Sequence, residues 1–324
     1  MPASAQFWPA HSAGTHAAFK PGEDLSHPLD ARRCTVQLST GRLYLDAIAS
    51  PATALLGHDL PLMPASGARA ADRLLASLEP GYAPVATMRS FVDAVDFALR
   101  LARSVAGADG RVLEINARAG EPAHKSDFLA AYENETLGRT GRWVASAGWR
   151  RPPDLVVAGD AMALGSSFGA VLAREDRAEK FIAAQRDIAP CEAADTGTLA
   201  RVAAAITTVE NEGLLQHGRE LADYLFSRLL AVRSTCSEIA SVESVGLSFR
   251  VALAPPLSAA QIRRGMCERG VLVGVDEEGR LAIEPPLPLR IAEADVITGA
   301  LRGAILQLPL VSAAACCASC ERGD

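Results

Sequence analysis

The chain has 324 residues, of which 49% are hydrophobic and 22% are charged, and its formal net charge is -6 at pH 7. These values are ordinary for a soluble globular protein, and the length suffices for a large core and two subdomains. The negative charge gives no electrostatic reason to bind nucleic acid or an acidic membrane. No apolar run reaches the roughly 20 residues that a membrane-spanning helix needs.

The cysteine content indicates a reducing compartment. There are seven cysteines, an odd number in a chain of this length, which is more typical of a reduced cytosolic protein than of a disulfide framework. The N-terminus also lacks the basic and then apolar pattern of a secretory signal. We therefore expect a cytoplasmic protein.

No metal site is expected. The tail residues Cys316, Cys317 and Cys320 contain a single CxxC pair, and a structural zinc site usually needs four ligands. His11 and His16 have no third ligand near them in the sequence. We therefore expect neither the tail cysteines nor the two histidines to bind a metal ion.

The first half of the chain predicts an arm followed by alternating strands and helices. Residues 1–35, rich in Pro, Ala, His and Gly, show no clear period and are interpreted as an arm. Apolar spacing then predicts a hairpin at 35–38 and 41–46, helices at 70–78 and 90–106, and a strand at 110–115.

The second half begins with a short apolar run at Leu155–Val157 that is typical of a buried parallel strand. A small-residue turn at 159–167 and a second apolar run at 168–173 follow it. Residues 175–196 are polar and are predicted to be irregular. Beyond them we predict a helix pair at 198–232, strand–helix–strand at 238–286 and a closing amphipathic helix at 291–306.

One stretch, residues 138–174, carries a more specific pattern. It contains GRTG, a spacer, Pro-Asp, an apolar strand, a glycine, a small-residue turn and Gly-Ala-Val-Leu. This pattern resembles the class III aminotransferases, which are pyridoxal phosphate (PLP) enzymes of fold type I. The matching residues are Gly138, Arg139, Thr140, Gly141, Pro153, Asp154, Gly159, Gly165, Gly169, Ala170, Val171 and Leu172.

Other segments resemble the same family. Residues 41–61 are similar to its G-x-x-Y-L-D and G-H-x-x-P elements, residues 198–232 to its alanine-rich helix and the helix after it, and residues 281–287 to its L-R-x-x-P-P-L strand. In the family the first of these lies near the dimer interface. Gly57 and His58 are therefore candidate interface residues.

The resemblance implies an α/β fold with a reduced PLP fold type I architecture, in which a large domain with a mostly parallel sheet is joined to a small α+β domain. We predict an N-terminal arm and small-domain strands at 1–60, a truncated large domain at 61–190, and a C-terminal small domain with the long interdomain helix and the cysteine-rich tail at 191–324. The large domain is predicted to be truncated because the segment between residues 116 and 134 is much shorter than in the family and lacks its aromatic that stacks on PLP.

Positions that carry the family's chemistry have different residues here. Asp160 stands where the family has the lysine that forms a Schiff base with PLP, and a carboxylate cannot form an imine. Counting back from GRTG places Ala131 at the aspartate that pairs with the pyridine nitrogen. Ala282 stands at the arginine that binds a substrate carboxylate.

The phosphate-binding positions differ as well. Phe91 and Val92 stand where the family's helix begins with a glycine and a hydroxyl residue, and bulky side chains there would block the approach of a phosphate to the helix N-terminus. The threonine that reaches the neighbouring subunit's PLP falls near Cys191. Thr196 and Thr198 are weak substitutes for it and candidate interface residues.

Together these differences predict a degenerate family member that has no catalytic residues of its own and binds no cofactor. Fold type I active sites form across a dimer interface. We therefore expect the chain to pair with a complete class III aminotransferase, to support or regulate it, and to leave PLP to that partner. A self-dimer is the other assembly that the sequence allows.

Two further functions stay open. A stand-alone transaminase-like enzyme would need Lys125 in a remodelled site, since Lys20, Lys125 and Lys180 are the only lysines, or would use Asp160 as a general base. A binding module for a peptide or carrier protein would use the sheet edge and apolar surface that a shortened parallel sheet exposes. An unrelated α/β protein would not account for the ordered series of matches.

Overall fold

The computed structural model describes residues 30–38, 41–48, 55–59, 61, 71, 75–107, 110–123, 126–134, 136–188, 191–255 and 257–307. Several of the sequence predictions fall outside these residues and stay predictions. They concern residues 1–29 of the predicted arm, and the side chains of His11, His16, Lys20, Lys125, Cys316, Cys317 and Cys320. The end of that arm needs correction, since Asp30–Arg32 form a strand that pairs with residues 35–37.

The elements of the described part follow one another as strands and helices in mixed order. The strands are β1 (Asp30–Arg32), β2 (Thr35–Gln37), β3 (Leu43–Asp46), β4 (Tyr82–Met88), β5 (Val112–Asn116), β6 (Phe128–Glu133), β7 (Leu155–Ala158), β8 (Gly169–Arg174), β9 (Ile239–Val245), β10 (Ser248–Leu253), β11 (Val271–Leu272), β12 (Gly274–Val275) and β13 (Leu281–Ile283). The α-helices are α1 (Phe91–Ala106), α2 (Glu175–Ala184), α3 (Thr196–Asn211), α4 (Leu214–Thr235), α5 (Ala259–Glu268) and α6 (Ile291–Leu306).

A five-stranded sheet with the order β4-β8-β7-β6-β5 forms the centre of the fold. Strands β5, β6 and β7 are parallel, and β8 is antiparallel to both of its neighbours, β7 and β4. Four of the five strands therefore point in one direction. Every residue of β7 is buried, which explains its uninterrupted apolar sequence. The predicted α/β fold is confirmed.

Two four-stranded sheets lie outside this centre. In the first, β1-β2-β3-β11, the predicted hairpin at the N-terminal side pairs through β3 with the C-terminal strand β11 in parallel. The second, β12-β13-β10-β9, is antiparallel throughout. The first of these sheets thus combines strands from both halves of the chain. The residue boundaries proposed for the domains stay a prediction.

Helix α1 packs on the central sheet as its apolar spacing predicts. Ser90 caps the helix, because its hydroxyl oxygen accepts the backbone N–H of Asp93 at 3.1 Å. A cap of this kind contributes about 1 kcal/mol. The buried face consists of Ala94, Phe97, Ala98, Leu101 and Ala102, the three- and four-residue spacing of one helix face.

Two predictions for the central sheet region need correction. Residues 175–196 were expected to be irregular, but 175–184 form α2, whose first turn carries Glu175 and Asp176 and whose Phe181 is buried. Acidic residues in the first turn favour a helix, and one apolar face is enough to dock it. The short segment after β5 also contains a strand that was not predicted, β6, built on the apolar run that starts at Phe128.

The remaining helices agree with the sequence pattern. Gly213, at φ +63, separates α3 from α4 within the predicted helix pair, and α6 has the predicted bounds. Residue 71 and residues 75–77 are helical within the predicted segment 70–78. In the part of the chain that the structure describes, each helix is too short or too polar to cross a membrane.

Candidate functional site

The candidate site lies where four strands of the central sheet end. Because β4, β7, β6 and β5 point the same way, the residues that follow them lie along one edge: Ser90, Gly159, Asn134 and Ala117. Open α/β sheets bind ligands outside the carboxyl ends of their strands. We call this edge the carboxyl edge.

Asp160 begins the turn after β7. It is the first residue of a 3-10 turn, Asp160–Ala163, which ends at Leu164 in the left-handed region with φ +52. Its carboxylate accepts the backbone N–H of Phe168 at 2.8 Å. Burial raises the pKa of Asp160, and this hydrogen bond partly opposes the rise. In this position the carboxylate closes the turn and offers no nucleophilic amine.

The space beside this turn is filled by side chains. A Cβ atom added at Gly159 would overlap the side-chain oxygen of Asn134 and would lie 2.9 Å from the ring of Phe91. Phe91 also packs edge-on against Tyr132, with ring centroids 6.3 Å apart. The Asn134 side-chain oxygen is buried and accepts no hydrogen bond from the described residues. Aromatic and amide groups thus close the gap between β7, β6 and α1.

The N-terminus of α1 is capped by the Ser90 side chain. The Ser90 hydroxyl donates to the carboxylate of Asp93 at 2.7 Å while its oxygen accepts the Asp93 N–H. A Cβ atom added at Gly169 would overlap Ala94 and the carbonyl of Ser90, so the first turn of α1 lies directly on β8. Val92 is 74% exposed. Asp93 thus places a carboxylate in the first turn of α1, where negative charge is favourable for the helix and unfavourable for a bound anion.

These residues do not match what PLP requires. The family's site supplies a lysine amine, an acid for the pyridine nitrogen and an open helix N-terminus for the phosphate. Around Asp160 the described residues supply a carboxylate, the ring of Phe91 and the amide of Asn134 instead.

The other two substituted positions lie inside strands. Ala131 is buried in β6 and is paired in register with Ile115 and Val156. Tyr132, the next residue, packs against Phe91 at the start of α1. Ala282 is buried in β13, directly opposite Arg250 in β10. The assignment of Ala131 and Ala282 to family positions stays a prediction.

Gly57 and His58 hold the N-terminal hairpin. A Cβ atom added at Gly57, which has φ +75, would overlap the carbonyl oxygen of Arg33. His58 Nε2 lies 2.9 Å from the carboxylate of Asp46, which is fully buried. The two family-like elements in 41–61 therefore bind one another within the chain, and an interface role for them stays a prediction.

Thr196 and Thr198 form the first turn of α3. Thr196 is exposed, whereas Thr198 is buried and its hydroxyl donates to Asp195 at 2.7 Å. Asp195 caps the helix by accepting the N–H groups of Gly197 and Thr198. Of the two threonines, only Thr196 has an exposed side chain that a partner subunit could contact.

Among the described residues no lysine lines the carboxyl edge. Lys180 is exposed on α2. Ser126 and Asp127, which follow Lys125, lie at the opposite edge of the sheet, where Asp127 N–H donates to the Arg111 carbonyl at 3.0 Å just before β5. In the same described part, no group of three or more His, Cys, Asp or Glu side chains could hold a metal ion.

Sequence reasoning missed a buried carboxylate at the end of β6. Glu133 accepts the N–H of Ser146 at 2.6 Å and a hydrogen bond from the Thr136 hydroxyl. Burial raises the pKa of Glu133, and these hydrogen bonds only partly oppose the rise. A charged residue at the end of an apolar run was the available signal.

Glu133→Gln is expected to flatten the pH dependence of stability. A carboxyl group with a raised pKa in the fold makes the protein less stable as pH rises above its ordinary value of 4.5 toward the raised value. Unfolding of the wild type releases a proton from Glu133 in this pH range, and the glutamine variant has no such proton to release. The glutamine oxygen can still accept the Ser146 N–H, and its amide group can donate to the Thr136 hydroxyl. Urea unfolding at a series of pH values measures the slope. Equal slopes for wild type and Glu133→Gln would contradict the expectation.

A second missed feature is a group of buried charges between the sheets. Arg250 donates to Glu284 at 2.5 Å, and its Nε lies 3.3 Å from Asp276. Arg139 donates to the Pro285 carbonyl at 2.6 Å. Arg118, which follows β5, lies 3.8 Å from Asp276. We call Arg139, Arg250, Asp276 and Glu284 the charge cluster. Its signals in the sequence were Arg250 inside the apolar run of β10 and Glu284 directly after β13.

The sequence profile described as "Aminotransferase class-III" matches residues 134–305, more than half of the chain. The chain belongs to the class III aminotransferase family. The match begins at Asn134 on the carboxyl edge, includes Asp160 and the charge cluster, and ends in α6.

Two acetylornithine aminotransferases are similar in sequence. The enzyme of Archaeoglobus fulgidus is 28% identical over 159 residues, and acetylornithine aminotransferase 1 of Bordetella parapertussis is 32% identical over 166 residues. The alignments cover 49% and 50% of this chain and 40% of each relative. The chain thus matches less than half of the length of these class III aminotransferases.

Solved structures share the fold over most of the chain. A phospholyase from Arthrobacter in complex with phosphoethanolamine has a TM-score of 0.72 at 17% identity, covering 87% of this chain and 94% of that one. Ornithine aminotransferase from Plasmodium yoelii has a TM-score of 0.71 at 17% identity, covering 86% and 93%. At this identity the likeness shows the PLP fold type I architecture alone.

Proposed function

We propose that this class III family member is a non-catalytic subunit that pairs with a complete PLP-dependent aminotransferase and supports or regulates it. The observation that carries the proposal is the contact of Phe91 and Asn134 with Gly159, beside the carboxylate of Asp160. The complete partner would resemble the acetylornithine aminotransferases to which this chain is similar. It would hold PLP, which in these enzymes serves as an electron sink.

The chemistry of the carboxyl edge supports a structural role for its residues. Asp160 holds the backbone of Phe168, and Ser90 and Asp93 satisfy the start of α1. Asp160, Ser90 and Asp93 thus each make a hydrogen bond that stabilises a turn or a helix start of this chain.

Pairing with a family member is supported by the parts that resemble the family outside the carboxyl edge. The hairpin is closed by the contact of Asp46 with His58, and in the helix pair α3–α4 the first helix is capped by Asp195. At the start of α3, Thr196 is exposed and follows the exposed cap Asp195. This end of α3 is the surface that we propose for contact with the partner.

The test is recovery of the tagged chain from its native host, followed by borohydride reduction and mass spectrometry to find which chain carries a fixed pyridoxyl group. We expect a complete class III aminotransferase to co-purify and to carry the label alone. A label on this chain would overturn the non-catalytic assignment. A chain that elutes alone and unlabelled would overturn the pairing.

A matched pair of variants sharpens this experiment. Thr196→Arg places a long cation at the exposed start of α3 and is expected to reduce partner recovery at least tenfold, which corresponds to about 1.4 kcal/mol of binding free energy. Thr235→Arg, at the exposed end of α4, should recover the partner as the wild type does. Equal recovery of the partner with both variants would show that the partner does not contact the start of α3.

A second candidate function, a binding module for an extended peptide, is favoured by β5. In the described part of the chain β5 pairs on one side only, with β6, and ends the central sheet. An edge of this kind presents backbone N–H and C=O groups to an added strand. This function moves ahead if the chain elutes without a PLP-bearing partner.

A further inference from the structure

In the charge cluster the carboxylate of Glu284 contacts the buried guanidinium group of Arg250, and the buried Arg139 donates to the carbonyl of the next residue, Pro285. Arg250 is 6% exposed and Arg139 is 2% exposed, while Glu284 itself is 5% exposed. Arg250 Nη2 donates to Glu284 at 2.5 Å, and the Ser248 hydroxyl donates to the same oxygen at 2.8 Å. Charge-assisted bonds of this kind are the strongest that a buried carboxylate makes.

The electrostatics agree with the geometry. Burial by itself would raise the pKa of Glu284, but the charges of Arg250 and Arg139, with the hydrogen bonds from Arg250 and Ser248, hold this pKa below its ordinary value. Glu284 is therefore ionised in the fold at neutral pH. This anion contacts Arg250 directly and is adjacent in the chain to Pro285, whose carbonyl accepts from Arg139.

The arrangement follows from the register of β10 and β13. Arg250 is directly opposite Ala282, so both side chains project from the same face of the sheet. Glu284 is two residues after Ala282 and returns to that face. Asp276, which follows β12, holds the Nε side of Arg250 at 3.3 Å. The guanidinium is thus fixed on one side by Asp276 and meets Glu284 on the other.

We propose that Arg250 and Arg139 form a latent binding site for small carboxylate anions, in which Glu284 is the built-in occupant. The chain supplies its own ligand to this site, so carboxylates from solution are excluded. Removal of the Glu284 side chain leaves a buried, positively charged cavity of carboxylate size. The proposal concerns these side chains alone and does not depend on the partner or on PLP.

The experiment is thermal unfolding of the full chain with Glu284→Ala in sodium formate or acetate and in sodium chloride at equal ionic strength. We expect the variant to have a lower midpoint than the wild type and to regain at least about 3 °C in formate or acetate, with saturation. The wild type should show no difference between the salts. Equal responses of wild type and variant would overturn the proposal.

Two further variants keep the test decisive. Glu284→Ala with Arg250→Ala should lose the response to formate, since the main guanidinium is gone. Glu243→Ala removes an exposed carboxylate that contacts Arg280 beside the same strands and should give no response. If Glu284→Ala fails to fold in chloride, the measurement becomes the yield of soluble protein refolded in formate against chloride, and equal yields would again overturn the proposal.

Discussion

Replacement of Arg139 by alanine is expected to lower the free energy of unfolding by about 3 kcal/mol, because it removes a buried charged donor from the Pro285 carbonyl and one of the two cations that stabilise the ionised Glu284. Arg139 donates to the Pro285 carbonyl at 2.6 Å and helps to hold the Glu284 carboxylate in its ionised form. In the variant, Glu284 keeps Arg250 and loses this second cation. Urea unfolding at neutral pH measures the change.

The matched control is Arg228→Ala. Arg228 on α4 lies 2.9 Å from Asp295 on α6, and both side chains are largely exposed. An exposed pair of this kind contributes less than about 1 kcal/mol. Equal losses from the Arg139 and Arg228 variants would show that the charge cluster has no special importance for stability.

Gly246→Ala is the second substitution with a large expected effect, about 3 kcal/mol or more. Gly246 has φ +57, a conformation that costs other residues roughly 1–2 kcal/mol. An added Cβ would also overlap the carbonyl oxygen of Arg139, and overpacking of this kind costs about 1–3 kcal/mol. The same carbonyl accepts the N–H of Leu247 at 2.9 Å, which the displaced backbone would lose.

Gly279→Ala measures the cost of a positive φ without the cost of a steric clash. Gly279 has φ +75, and an added Cβ would meet no atom within 4 Å. The conformational cost of about 1–2 kcal/mol should therefore be the whole effect. Denaturant unfolding of both variants tests the difference, and an equal loss would mean that the turn containing Arg139 moves freely away from Gly246.

The residues that match the family hold the fold together. Arg139 of GRTG contacts Gly246 and Leu247 between β9 and β10, and Pro285 after β13. Asp154 of the Pro-Asp pair accepts the N–H of Leu129 at 2.9 Å and binds the guanidinium groups of Arg174 and Arg177. Asp46 binds His58. These contacts lie away from Asp160, which explains how they persist while the carboxyl edge differs.

Two of the positions predicted to differ from the family, Phe91 and Asp160, lie at the carboxyl edge together with Asn134. Phe91 follows β4 and the cap Ser90, Asn134 follows β6, and Asp160 follows β7. Side chains that pack at this edge stabilise the fold, because they fill space that solvent or a ligand would otherwise occupy. A packed edge and an open cofactor site are alternatives, and the contacts at Gly159 favour the packed edge.

The sequence by itself determined most of the local structure and the family. Apolar spacing located α1, α6 and the buried strand β7, because each of these buries one regular face or, in β7, every residue. It failed for α2 and β6. The first is short and polar on most of its surface, and the second is a six-residue run whose role depends on its two neighbours in the sheet.

Only the tertiary structure decided which of these residues meet. The contact of Phe91, Asn134 and Gly159 depends on three strands that end at one edge, and the charge cluster depends on the register that sets Arg250 opposite Ala282. Such contacts join residues far apart in the chain, and strand order and register follow from packing of the whole core. The spacing of apolar residues within one segment does not predict these long-range contacts. For this reason the sequence could only predict that Asp160 stands at the family's lysine position, and the fold showed which side chains lie beside it.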